Sequence, residues 1–343
     1  MVDHSIKLAV IGLGMASTPH MAALKQLSPR VEVGGVYARN ADHRVAISAK
    51  WGWQAYESIE AICNDPNIDG AIVITPPNAR MEIVKKLAKA GKHILMEKPV
   101  ERNLTNAHKI VEICEQANVS LGIVLQHRFR AGAIALTELV RSGKLGRIHL
   151  VRVVLPWSRE QSYYDQLGRG SYEVDGGGVL ITQAIHIIDL MLSLTGPVKE
   201  VMALSGTSVF HNMEAEDFAN AGLIFTNGAL GSITATTASF PGGAETIELT
   251  TDNAALHLKA GELLIEWRDG QTEIIGDVTE TGGGSNPMDF PCDWHRDLIA
   301  DFADSLRHRR RPRICGREAL EVHKLIDAME RSSRNGKRIV MAE

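Results

Sequence analysis

At 343 residues the chain is long enough for two domains of ordinary size, and its 44% apolar and 23% charged residues are the proportions of a soluble globular protein. A formal charge of −4 sets aside general affinity for nucleic acid, which needs a basic face. No run reaches the roughly 18 uninterrupted apolar residues of a membrane span.

Four cysteines, Cys63, Cys114, Cys292 and Cys315, stand far apart without a C-x-x-C spacing, so they predict reduced thiols and neither a zinc knuckle nor a disulfide framework. The opening "MVDHSIKLAVIGLG" enters an apolar strand without the features of a signal peptide, which makes a cytoplasmic location the expectation. After that strand (7–11), "GLGMAS" turns and "PHMAALKQL" resumes at helical spacing. A strand "VEVGGVYA" and a helix "NADHRVAISAKWG" follow, then a helix "SIEAICNDPNI" opened by Ser58. "DGAIVITPP" reads as a wholly apolar strand stopped by prolines, "NARMEIVKKLAKAG" as a helix, "KHILMEKPV" as a strand, "NLTNAHKIVEICEQANV" as a helix and "SLGIVLQHRF" as a strand. This alternation through residue 129 predicts a doubly wound parallel sheet.

Beyond about residue 146 the strands lengthen, and Thr226-Asn227-Gly228 carries the Asn-Gly signal of a hairpin. The expectation is a large, mostly antiparallel sheet with one helix, "GVLITQAIHIIDLMLSLTG", inserted early. The Gly-rich stretch 277–289 reads as an exposed loop, and 294–309 and 317–336 as two amphipathic helices. The cationic run "RHRRRPR" (307–313) reads as a cap on the end of the first of these, where positive charge meets the helix dipole.

"GLGMAS" sets Gly12 and Gly14 between a strand and a helix, the arrangement that lets a pyrophosphate approach the backbone at a helix N-terminus. Its third small position falls on Ser17. The second strand ends Ala38-Arg39-Asn40, without the carboxylate that binds the adenosine ribose of NAD. Arg39 suits a 2′-phosphate, so the expected cofactor is NADP or NAD, with NADP slightly favoured. "EKP" closes a strand at its carboxyl end, where ligands of open parallel sheets sit; a lysine desolvated there can exchange a proton with a hydroxyl or carbonyl.

The glycine turn 12–17, "TPPN" at 75–78, "AGKHILMEKP" at 90–99, "HRFR" at 127–130, "GKLGRI" at 143–148 and "DGGGVLITQAIHIIDL" at 175–190 together resemble the Gfo/Idh/MocA oxidoreductases, nearly end to end. The resemblance implies a Rossmann NAD(P)-binding domain over 1–127 and an α+β substrate and oligomerisation domain over 128–343, with the helices of 294–335 expected to fold back on the first. It implies Lys98 as the proton-transferring residue and His186 beside the substrate, and Thr182, four residues before it, is taken with them as a catalytic and substrate-binding candidate. Gly12, Gly14, Met15, Ala16, Ala38, Arg39, Asn40, Thr75, Pro76, Pro77, Asn78, Glu97, Lys98 and Gln126 form the expected cofactor set. The chain departs from the family at Thr182, where many members have Asp, and at Arg80, where many have His, which leaves open a phosphate contact or altered loop packing.

The segment 155–178 is rich in groups that suit a polyol, among them Trp157, Tyr163, Tyr164, Arg169 and Asp175, with Arg128 as a further candidate. These lead to a dehydrogenase or reductase of a sugar, sugar acid or cyclitol, with no metal, forming a homodimer or homotetramer. Redox-assisted glycoside cleavage on the same fold, or a non-catalytic NAD(P)-binding regulatory protein, are the alternatives.

Overall fold

The protein is represented by a computed structural model that describes residues 5–278 and 290–341. The chain divides into two compact units. One holds the chain up to Leu125 together with Pro291–Leu320; the other holds Gln126–Phe290 and the chain from Glu321 onward.

The first unit runs β1 (Ile6–Ile11), α1 (Ser17–Leu27), β2 (Val31–Tyr37), α2 (Ala41–Trp51), α3 (Ile59–Asn64), β3 (Gly70–Val73), α4 (Arg80–Lys89), β4 (His93–Glu97), α5 (Leu104–Gln116) and β5 (Leu121–Val124). Its five strands pair in the order β2-β1-β3-β4-β5, all parallel. Leu8 to Ile11 and all of β3 are buried, which is why these strands read as unbroken apolar runs. Three helices start on side-chain caps: Asn40 accepts from His43 N, Ser58 from Ala61 N and Asn103 from Asn106 N. The helix Asp293–Arg307 packs on α1 within this unit. Its basic end is neutralised locally, Arg307 by Asp304 at 2.9 Å and Arg310 by Asp301 at 2.6 Å.

β1 pairs with β2 on one side and β3 on the other, so the strand order reverses beside β1. In doubly wound sheets that reversal opens the ligand crevice beyond the carboxyl ends of the strands. Gly12, Thr75 and Lys98 follow the ends of β1, β3 and β4.

The second unit runs α6 (Ala131–Ser142), β6 (Ile148–Pro156), α7 (Gln161–Tyr164), α8 (Ile185–Thr195), β7 (Val198–Gly206), β8 (Phe218–Phe225), β9 (Leu230–Thr236), β10 (Thr246–Thr251), β11 (Ala254–Lys259), β12 (Glu262–Trp267), β13 (Thr272–Ile275) and β14 (Ile339–Val340). The nine strands pair as β13-β12-β11-β10-β6-β9-β8-β7-β14, antiparallel except for β6 and β9. The Asn227-Gly228 turn joins β8 to β9, with Gly228 at φ +88°. α8 packs against β6 and β10, and α6 against β12. Of the expected loop 277–289, residues 279–289 lie outside the described residues. Among the described residues no helix is long and apolar enough to cross a membrane.

Candidate active site

The glycine turn is built for a close approach. Gly12 has φ +100°, and a Cβ there would stand 2.9 Å from the backbone of Ile74 and Thr75, so only glycine fits. A Cβ on Gly14 would meet nothing within 4 Å, which leaves its backbone open. Ser17, at the third small position, is buried and donates its hydroxyl to Gly14 O at 2.7 Å, tying the turn to the start of α1. Met15 is exposed and Ala16 half-buried. Thr75 has a buried hydroxyl with no hydrogen-bond partner. An open glycine backbone, a helix N-terminus and an orphaned hydroxyl together fit the phosphates of a dinucleotide.

At the end of β2, Arg39 is exposed and Ala38 half-buried, its carbonyl accepting from Arg44 at 2.7 Å. Asn40 caps α2, which commits its side-chain oxygen to the backbone. Pro76 and Asn78 are exposed, while Pro77 is buried.

Lys98 is half-buried immediately after β4, and its peptide bond to Pro99 is cis. Glu97, 9% exposed, accepts from His20 Nε2 at 2.7 Å through Oε1 and from the Lys98 amide at 3.1 Å through Oε2. Burial pushes this carboxyl up, but the His20 hydrogen bond and neighbouring charge outweigh it and bring it down to about 2, so it is ionised. His295 lies 4.0 Å from the same oxygen, and burial pushes its imidazole down to about 3. The trio offers three metal-capable atoms within 4.8 Å of one another. At 2.7 Å, however, His20 and Glu97 stand closer than the roughly 3.4 Å expected between two ligands at tetrahedral zinc, so the contact is a hydrogen bond. Glu97 therefore orients the backbone that carries Lys98.

In the second unit His186 is 6% exposed and stacks on His127, with ring centroids 4.7 Å apart. The helical segment that carries His186 opens with a π-helical turn over Leu180–Ala184, which shifts the regular spacing between Thr182 and His186. Thr182 donates its hydroxyl to Gly178 O at 2.5 Å, a tie to the backbone one turn earlier. Arg128 forms a two-pronged ion pair with buried Asp189, Nε to Oδ2 at 2.7 Å and Nη2 to Oδ1 at 2.6 Å. That pair anchors α8 and sets the orientation of Arg128, the residue expected as a further substrate contact.

The polyol-type segment separates into two layers. Trp157 and Tyr164 are 5% and 8% exposed, with Trp157 donating to Glu245 at 3.2 Å and the Tyr164 hydroxyl 2.6 Å from Thr237 Oγ1. Both were expected as substrate contacts, and each is held by a hydrogen bond inside the fold. Tyr163 and Arg169 remain accessible, with the Arg169 guanidinium 5.1 Å from the Tyr163 ring centre and 3.7 Å from Asp175. Gln126 is buried, and its side-chain oxygen has no partner.

Sequence reasoning missed His20, His295, His127 and Glu245, and left Arg80 undecided. Each is a polar residue in an apolar stretch or helix, and its partner lies 50 or more residues away in sequence or is recognisable only from the folded packing.

Two family models cover most of the chain: "Oxidoreductase family, NAD-binding Rossmann fold" matches residues 6–124, and the "GFO/IDH/MocA C-terminal domain" matches 134–257. The chain belongs to the Gfo/Idh/MocA oxidoreductase family. It is 29% identical over 233 residues to a myo-inositol 2-dehydrogenase of Thermotoga maritima, covering 66% of this chain and 67% of that one. It is 26% identical over 304 residues to a 1,5-anhydro-D-fructose reductase of Ensifer adhaerens, covering 84% and 85%. Among solved structures it superimposes on the WlbA dehydrogenase from Bordetella pertussis, in complex with NADH and UDP-GlcNAcA, with a TM-score of 0.85, 29% identity and coverage of 99% and 100%. As a member of this family the chain is a nicotinamide-dependent oxidoreductase with a Rossmann domain followed by a largely antiparallel α+β domain.

Proposed function

We propose that the protein is an NAD(P)-dependent dehydrogenase or reductase acting on a hydroxyl or carbonyl of a sugar, sugar acid or cyclitol. The observation that carries this reading is the position of Lys98: it directly follows β4 at the carboxyl edge of the parallel sheet, in the same unit as the open Gly14 backbone. The relatives named as myo-inositol 2-dehydrogenase and 1,5-anhydro-D-fructose reductase, and the WlbA dehydrogenase in complex with UDP-GlcNAcA, support the substrate class.

Gly12, Gly14, Ser17 and Thr75 would hold the dinucleotide, which when bound supplies the hydride acceptor or donor. In the oxidative direction the Lys98 amine takes the hydroxyl proton as the carbon gives up its hydride; in the reductive direction its ammonium returns that proton to the carbonyl oxygen. His186, held flat by His127, is assigned to a substrate hydroxyl, and Tyr163, Arg169 and Asp175 to the remaining polar groups. General acid-base assistance of this kind gives about 10²- to 10⁴-fold. Arg39, exposed at the end of β2, favours NADP over NAD through a 2′-phosphate contact.

The test is nicotinamide absorbance with NAD and NADP, each against aldoses, inositols, uronic acids and UDP-linked sugar acids. Turnover with at least one class is expected, and Lys98→Met should suppress it while leaving dinucleotide binding intact. Arg39→Asp should weaken NADP at least 10-fold and spare NAD. Full activity in Lys98→Met would remove the assigned proton-transfer role, and an unchanged NADP affinity in Arg39→Asp would remove the cofactor preference.

A further inference from the structure

Arg80 is a guanidinium with almost no access to water, 2% exposed at the start of α4. Every hydrogen bond found for it goes to a backbone carbonyl. Its Nε donates to Thr75 O at 2.9 Å, Nη1 to Glu97 O and Pro99 O, and Nη2 to Lys98 O at 3.3 Å. Burial pushes the group down to about 10, and the charges of Glu97 and Glu101 push the other way, so it stays cationic at neutral pH. A charge taken this far out of water costs several kcal/mol unless its donors are satisfied, and here carbonyls take four of its five N–H donors. Three belong to consecutive residues, 97 to 99, and the fourth to the residue that follows the end of β3 by one turn position.

We propose that Arg80 is a positioning residue for Lys98. The planar fork binds the carbonyl side of the Glu97-Lys98-Pro99 turn, while the Glu97 carboxylate, itself held by His20, binds the Lys98 amide from the other side. With N–H and C=O both fixed, the Cα of Lys98 has one orientation, and the amine swings on its side-chain torsions alone. The bond to Thr75 O ties this turn to the segment carrying the orphaned Thr75 hydroxyl, so one side chain sets the spacing between the lysine and a cofactor-binding loop. The guanidinium is thereby occupied by protein carbonyls, and a phosphate contact is not its role. An imidazole in its place would have at most two N–H donors and could not bind four carbonyls.

The inference rests on the proton-transfer role proposed for Lys98, and the experiment separates the two. Arg80→Lys, Arg80→Met and Lys98→Met are compared with the double variant Arg80→Lys/Lys98→Met by steady-state kinetics, dinucleotide titration and thermal melting. Arg80→Lys keeps the charge but ends one bond shorter and has one nitrogen for four acceptors. It is expected to lower kcat about 10- to 100-fold, the usual consequence of a misplaced catalytic group, with dinucleotide Kd within threefold and KM little changed. Arg80→Met should be at least as impaired; if it does not fold, Arg80→Lys alone decides. In the Lys98→Met background Arg80→Lys should cost nothing further in kcat. Wild-type kcat in Arg80→Lys, a loss that tracks dinucleotide Kd alone, or an additive loss in the double variant overturns the positioning role. An active Lys98→Met overturns the assignment of Lys98 instead.

Discussion

His127 and His186 lie face to face, 4.7 Å apart and 22° from parallel, and the supports behind His127 reach back to Trp157. Arg130 donates to His127 Nε2 at 2.6 Å and pairs with Glu245, which also accepts from Trp157 Nε1 at 3.2 Å. Because Nε2 accepts from a guanidinium, the His127 proton sits on Nδ1 and the ring is neutral. A neutral ring stacks on His186 without repelling a proton there.

The ion pair of Arg130 and Glu245 has both side chains 3% exposed or less, so removing one charge strands the other. Glu245→Gln is expected to destabilise the protein by about 3–5 kcal/mol, read as a lower urea midpoint. The same variant should raise KM for the sugar while leaving dinucleotide Kd unchanged. An unfolding free energy within about 0.5 kcal/mol of wild type would show that the pair carries little.

Gly12 and Gly14 separate folding from binding. Gly12→Ala drives a Cβ to within 2.9 Å of backbone at a left-handed φ and should lower the melting temperature markedly. Gly14→Ala meets no protein atom within 4 Å, so it should melt like wild type and yet bind dinucleotide at least 10-fold more weakly. Unchanged affinity in Gly14→Ala would move the pyrophosphate away from this turn.

Glu330, in the helix Gly316–Asn335, is 19% exposed, and burial followed by the charge of Glu216 pushes its carboxyl up to about 7, against the opposing pull of Arg334. Such a group binds more protons folded than unfolded. Its contribution to stability is complete below about pH 4.5 and is lost as the pH rises through about 7. Glu330→Gln should remove up to about 3 kcal/mol of this decline between pH 5 and pH 8, seen as a flatter dependence of the melting temperature on pH. Asp327 and Glu216 also face the group and remain in the variant.

One face of the nine-stranded sheet carries Leu150, Leu230, Met202, Leu204 and Phe218, exposed by 37% to 67%, with Leu150 and Leu230 directly paired across β6 and β9. An apolar face of this kind is expected to be covered by a second copy of the chain. Light scattering should give a dimer or tetramer, and Leu150→Arg with Leu204→Glu should give a monomer that keeps its secondary structure. A monomeric wild type would assign the face another partner.

The alternation of strand and helix through residue 129, the Asn227-Gly228 hairpin and the cap at Ser58 were all legible in the chain. They depend on residues a few positions apart, whose periodicity and turn chemistry decide the backbone locally. The same holds for Gly12 and for Lys98 at a strand end. What holds Arg128, Trp157 and Tyr164 was not legible, because an exposed polar contact and a buried structural one have the same residue type. Their partners Asp189, Glu245 and Thr237 lie 61 to 88 residues away in the sequence.

What the sequence determined alone was the pattern of elements, the family and the residues capable of proton transfer, since each is written in short-range spacing. Which of those residues are held and by what was decided by tertiary structure: Arg80 gathers carbonyls 17 to 19 residues away, and His20 meets Glu97 across 77. Burial forces such long-range pairing, because a charge or imidazole withdrawn from water must find a partner within hydrogen-bonding distance, and only the folded chain provides one.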